Sequence, residues 1–171
     1  MCGHDISDKP RGGALAVLSP TTPSPGPNRD HLPPCRGDLA FHTPGSPSSK
    51  IATHARWTRT PGDDVSCVED LLVVIHESGD LTHKPEDCGL FRQFAFSRNT
   101  ASVIGNGQAL EIPLAPPISL EVGRHGIIGR RVSLFHNLHN LTDSSFSTTR
   151  MSVAAEGIVG FNFVLPVSSS L

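Results

Sequence analysis

Gly105-Asn106-Gly107 stands between two apolar arms, Ser102-Val103-Ile104 and Ala109-Leu110-Glu111-Ile112. No other stretch of the chain restricts its fold as strongly. Glycine reaches the positive φ that a tight reversal demands, and asparagine tolerates it better than most residues. The arms alternate, so Leu110 and Ile112 face one way and Glu111 the other. The reading is a β-hairpin, and residues 101–122 are the seed of a sheet.

The chain after Cys67 continues in the same manner. Phe94 and Phe96 alternate within a predicted strand. Pro116-Pro117 interrupts the seed, Ile118 to Val122 alternates again, and Gly123, Gly126 and Gly129 mark a turn. Val132 to Phe135, Met151 to Ala155 and Ile158 to Leu165 complete the strands, with breaks expected at Gly157 and Gly160. One segment reads differently. Ser66-Cys67-Val68-Glu69 has the form of a capping box, Val68, Leu71, Leu72 and Ile75 recur at helical spacing, and Gly79 offers a stop. The β-branched run Leu71-Leu72-Val73-Val74-Ile75 also suits a buried strand, but the cap favours a helix. Short strands at this spacing predict a mainly β domain, a small sandwich or partly open barrel with about one helix.

Ten of the fifteen prolines stand at or before Pro61. Ser19-Pro20, Thr22-Pro23, Ser24-Pro25, Thr43-Pro44, Ser46-Pro47 and Thr60-Pro61 follow one another, and proline both removes a donor and biases its predecessor away from helix. Residues 1–62 are therefore expected to form a disordered arm, low in complexity, with residues 63–171 as the domain. Pro20-Thr21-Thr22-Pro23 and Pro44-Gly45-Ser46-Pro47 fit the short pattern read by polyproline-binding domains, which makes a weak protein partner conceivable through the arm. A hydrophobic fraction of 37% agrees with only part of the chain building a core.

A net charge of -2 gives no field to attract nucleic acid or an anionic membrane. With no tyrosine and one tryptophan, Trp57, base-stacking platforms are not expected. The purest apolar run, Leu71 to Ile75, is far short of a membrane helix, and Ala14 to Leu18 is too short for a signal-peptide core. A soluble, intracellular chain is expected, with Cys2, Cys35, Cys67 and Cys88 as free thiols.

Chemistry-bearing patterns are sparse. Cys2 with His4, His83 with Cys88, and His136 with His139 are the mixed pairs that could meet a metal, but no two cysteines have the close spacing of a structural zinc site. Gly123-Arg124-His125-Gly126-Ile127-Ile128-Gly129 places its glycines at the first, fourth and seventh positions, whereas a dinucleotide fingerprint needs the first, third and sixth. Arg124, Arg130 and Arg131 cluster in sequence and read as a solvated rim or a contact for an acidic ligand. Arg36-Gly37-Asp38 matches the tripeptide that integrins read, and Asn140-Leu141-Thr142 matches a glycan acceptor; both require an extracellular chain and read as coincidence. Ser169-Ser170-Leu171 has the form of a terminal peptide that could add to a sheet edge, or of a frayed tail.

Residues 77–112 also resemble the aspartic proteases of Copia-type retrotransposons. Those carry Asp-Ser-Gly-Ala, a nearby histidine and, about two dozen residues later, a hairpin of the form Gly-Asn-Gly-x-x-Leu-x-Ile. Here Glu77-Ser78-Gly79-Asp80 precedes His83, and Gly105-Asn106-Gly107-Gln108-Ala109-Leu110-Glu111-Ile112 follows. The resemblance implies a homodimer in which each subunit brings one catalytic carboxylate. Glu77 departs from the aspartate of that family, and His76 from its apolar neighbour. A carboxylate one methylene longer misplaces the pair by about 1 Å, at a cost on the order of 100-fold in rate.

No catalytic, cofactor-binding or metal-binding residue is assigned. The expectation is a non-catalytic interaction module, or the product of a reading frame not selected for a fold; the alternative is a degenerate fragment resembling the retrotransposon proteases.

Overall fold

The computed structural model describes residues 9–21, 35–62, 71–97, 99–136 and 153–163. The strands are β1 (Ala14–Leu18), β2 (Gly37–His42), β3 (Ile51–Arg59), β4 (Leu71–Ile75), β5 (Arg92–Phe96), β6 (Ser102–Ile104), β7 (Ala109–Val122), β8 (Gly126–Ile128), β9 (Arg131–His136) and β10 (Val153–Phe161). A short 3-10 turn, Pro85–Cys88, joins β4 to β5. The architecture is mainly β.

All strands belong to one open sheet in the order β5-β4-β9-β10-β1-β2-β3-β7-β6, and β8 lies beside β7. Neighbours are antiparallel except β7 and β8. The sheet is not closed into a barrel, but it folds back on itself. Phe94 of β5 meets Phe41 of β2 edge to face, with ring centroids 6.3 Å apart, although five steps of the ladder separate the two strands. Alternate residues of every long strand point into one core, among them Leu39 and Phe41, Val73 and Ile75, Val132 and Leu134, and Leu110 and Ile112.

The hairpin forms as its residues demand. Ile104 pairs with Ala109, and Gly105 and Gly107 adopt φ of 65° and 80° between them. Leu110 and Ile112 are buried, and Glu111 lies on the opposite face. β7 then runs for fourteen residues, through the prolines that were expected to divide it. Ala52 of β3 pairs with Ile118 and His54 with Pro113, so the residues from Leu114 to Pro117 bulge out of the ladder. Pro116 and Pro117 fall where the ladder needs no donor.

Four sequence expectations are corrected. Residues 1–62 are not an arm throughout, because β1, β2 and β3 lie within them and occupy the middle of the sheet. Each of those segments is free of proline, and the prolines that flank them sit between strands, where a missing donor costs nothing. Trp57, which the expected arm over residues 1–62 would have left outside the core, is only 1% exposed. The predicted helix is a strand: Leu71–Ile75 pairs with β5 on one side and β9 on the other, and a strand enclosed on both sides favours β-branched residues over helical spacing. The capping box itself lies outside the described residues. The breaks expected at Gly157 and Gly160 are also absent, since β10 is continuous through both; a side chain at Gly157 would strike the carbonyl of Val17.

Candidate functional site

The connection from β4 to β5 contains more interlocked polar groups than any other part of the described chain. It begins at His76, which is buried. Its Nδ1 lies 3.0 Å from the carbonyl of Gly89 and can only donate there, which leaves Nε2 to accept from the Ser133 hydroxyl at 2.9 Å. Burial holds the His76 pKa below its ordinary value, against the opposing bond to Gly89, so the ring is neutral.

Beyond His76 the chain folds into a compact loop. The Ser78 amide donates to the carbonyl of Cys88, and the Ser78 hydroxyl accepts from the Asp80 amide. Asp80 accepts from the Thr82 hydroxyl at 2.6 Å, the Thr82 amide at 2.7 Å and His83 Nδ1 at 2.7 Å. Those donors, the Thr82 hydroxyl foremost, bring its carboxyl down to about 2. The Cys88 thiol, buried beneath the loop, donates toward the carbonyls of Asp80 and Lys84.

Two consecutive arginines brace this loop from either side. Arg131 opens β9 and is almost wholly buried. Its Nη1 donates to the carbonyls of Asp80 at 3.0 Å and His83 at 2.7 Å, and Nε and Nη2 both reach Oε2 of Glu156 on β10. Arg130 points the other way. It donates to the carbonyls of Glu77, Gly126, Gly123 and Arg124, and its guanidinium lies 4.0 Å from the centre of the Phe91 ring, one residue before β5. Of the arginines read as a surface cluster, Arg131 is thus a buried brace and Arg130 a half-buried one, while Arg124 stays exposed on its turn.

What the bracing presents is β5. The His76 amide donates to Arg131, so His76, Val74 and Leu72 direct their backbone groups toward β9, and Leu71, Val73 and Ile75 direct theirs toward β5. Their partners Phe96, Phe94 and Arg92 answer them. Gln93 and Ala95, whose side chains are exposed, therefore aim their amides and carbonyls away from the sheet, and no described strand pairs with that edge.

The other sequence candidates do not converge. Cys88 is buried against carbonyls while His83 is exposed on Asp80. His136 Nε2 lies 3.8 Å from the Cys35 sulfur. Among the described residues, no group of three histidine, cysteine or acidic side chains could hold a metal. Cys2, His4, His139, Asn140 to Thr142 and Ser169 to Leu171 lie outside the described residues. Arg36-Gly37-Asp38 leads into β2, where Gly37 and Asp38 are paired on both sides. Glu77 is exposed against Gly89, and the groove beside the Gly105-Asn106-Gly107 turn is lined by Lys9 and Thr58 without a residue from the Glu77 loop. Sequence reasoning missed Ser133 and Glu156, each far along the chain from the group it meets.

Fold and site together define a mainly β protein built on one open sheet with a braced edge strand. No protein-family model matches the chain, and no curated protein matches it.

Proposed function

We propose that the protein is a non-catalytic interaction module that receives an extended segment of a partner polypeptide by strand addition to β5. The observation that carries this reading is the outward backbone of Gln93 and Ala95. It offers two amides and two carbonyls on a strand of regular register, with no proline and no bulge to deter pairing. The Arg130 and Arg131 braces support it, because an edge held in its bound shape loses little entropy on binding. The buried polar groups nearby bond to one another, as scaffolding does.

The test uses a displayed library of extended peptides selected on the whole protein. Selected peptides should protect the amides of Gln93 and Ala95 from hydrogen exchange. Ala95→Pro should reduce their affinity at least about tenfold while leaving the thermal transition within a few degrees, since the Ala95 amide bonds nothing in the free sheet. Peptides that bind the Ala95→Pro protein equally well, or a library that yields none, would refute strand addition.

A further inference from the structure

His42 of β2 is only 7% exposed at its side chain, and one of its nitrogens is committed. Nε2 lies 2.8 Å from Oε2 of Glu111 on β7, an oxygen that also accepts from Arg56 Nε at 2.8 Å; an acceptor shared in this way makes Nε2 the donor and leaves the lone pair on Nδ1. Among the described residues Trp57 Nε1 is the one buried side-chain nitrogen or oxygen with no partner, so Nδ1 of His42, which has no bond of its own, touches solvent. It does so in a groove of about 480 Å³ between the 9–11 segment and the 43–47 turn.

The groove is cationic. Lys9, Arg11 and Arg56 line it, and among the described residues no carboxylate does. Glu111 meets the charge of Arg56 and Asp38 that of Lys9, so three cations against two carboxylates leave one positive charge, which a proton on His42 would double. Burial holds the His42 pKa below its ordinary value, against the opposing bond to Glu111, and the neighbouring Arg56 and His54 of β3 act in the same sense as burial. The ring is therefore neutral at pH 7 until an anion arrives.

We propose that this groove binds a phosphate monoester of a small apolar alcohol or phenol, with its phosphate among Lys9, Arg11 and His42 and its organic part against Pro10, Pro44, Pro47 and Ile104. A lone pair at Nδ1 repels a fully ionised anion, so one proton must lie between ring and ligand. A phosphate monoester can supply it, because its second pKa, about 6, is close to that of imidazole. Either the phosphate hydroxyl donates to Nδ1, or the ring takes the proton and donates to a phosphate oxygen. A sulfate ester carries no such proton. The Lys9 ammonium has donors to spare beyond the one that Asp38 accepts, and the guanidinium fork of Arg11 matches two phosphate oxygens. The groove has far more room than a bare phosphate fills, and its volume is that of a small-molecule site.

The whole chain is titrated by calorimetry with phenyl phosphate, phenyl sulfate and inorganic phosphate at constant ionic strength. Phenyl phosphate should bind one equivalent with a dissociation constant of about 0.1–1 mM at pH 6, at least about fivefold tighter than either of the others. Between pH 6 and pH 8 its affinity should fall about tenfold, as the shared proton is lost. Arg11→Gln should weaken binding at least about fivefold, and Arg124→Gln, on a distant exposed turn, should leave it unchanged. His42→Gln should remove the fall with pH while His54→Gln keeps it, which separates the ring on the groove from its neighbour. If His42→Gln fails to fold, the exposed Arg11 and the comparison of phosphate with sulfate decide the matter. Equal binding of phenyl sulfate, undiminished binding by Arg11→Gln, or no saturation below about 10 mM would overturn the assignment.

Discussion

Arg131 and Glu156 meet across β9 and β10 through two guanidinium nitrogens on a single carboxylate oxygen, with the arginine side chain 3% and the glutamate 18% exposed. The same guanidinium reaches back to the carbonyls of Asp80 and His83, so one side chain ties the middle of the sheet to the loop that leads to β5.

Arg131→Met should therefore destabilise the protein by about 3 kcal/mol, since it strands a partly buried carboxylate and two loop carbonyls. Arg131→Lys should recover less than half of that, because an ammonium cannot serve the carboxylate and both carbonyls in a planar fork. Urea unfolding measures both. A lysine variant as stable as the parent would show that charge alone matters.

Acid should weaken the fold in two stages. Burial is the chief cause that holds His42 and His76 below their ordinary 6.5, so each is neutral in the fold where the unfolded chain is protonated. Below about pH 6.5 the unfolded state binds more protons, and stability falls as pH drops toward the native values, by at most about 1.4 kcal/mol per pH unit for each histidine. Asp80, at about 2 against 3.8, contributes above about pH 4 and loses that contribution between there and about pH 2. Urea midpoints at about pH 7.5 and 5.5 test the first stage. Equal midpoints would contradict it.

Trp57 is enclosed by the core with its indole nitrogen unpaired. An unmet donor costs about 1–3 kcal/mol, which offsets much of the packing lost when the ring shrinks. Trp57→Phe should accordingly change stability by about 1 kcal/mol or less, whereas Trp57→Ala should cost about 3–5 kcal/mol. Thermal unfolding of the two variants separates the terms.

Gly37 admits no side chain. A Cβ there would strike the Thr58 carbonyl and approach Trp57 Cη2 to 2.8 Å. Gly37→Ala should cost more than about 2 kcal/mol through overpacking, while Gly107→Ala, where space is open but φ is 80°, should cost about 1 kcal/mol through backbone strain alone. The ranking is checked by denaturant titration.

Glu77→Asp tests the resemblance to the retrotransposon proteases. No peptidase activity is expected from either form. Cleavage by the aspartate variant that pepstatin blocks and Glu77→Ala lacks would reverse that reading and replace the binding module with a protease.

The hairpin at Gly105-Asn106-Gly107 and the alternation around Phe94, Leu110 and Val132 were legible because turn geometry and the two-residue period of a strand are properties of neighbouring residues. The mainly β class followed from them. Between Ala14 and Arg59 the local signal was misleading. Proline density averaged over the stretch concealed three proline-free segments whose pairing partners, β10 and β7, lie far along the chain. Leu71–Ile75 carried both periods, and only enclosure by β5 and β9 decided between them. Arg131 with Glu156 and His42 with Glu111 are 25 and 69 residues apart, and His42 meets His54 only because β2 and β3 pair in one particular register. Local sequence determined where the chain turns and which way its residues alternate, since those preferences act over a few bonds. Strand order, the buried arginine, the open β5 edge and the paired histidines came from tertiary structure alone, because register and burial are set by burying apolar surface throughout the sheet at once.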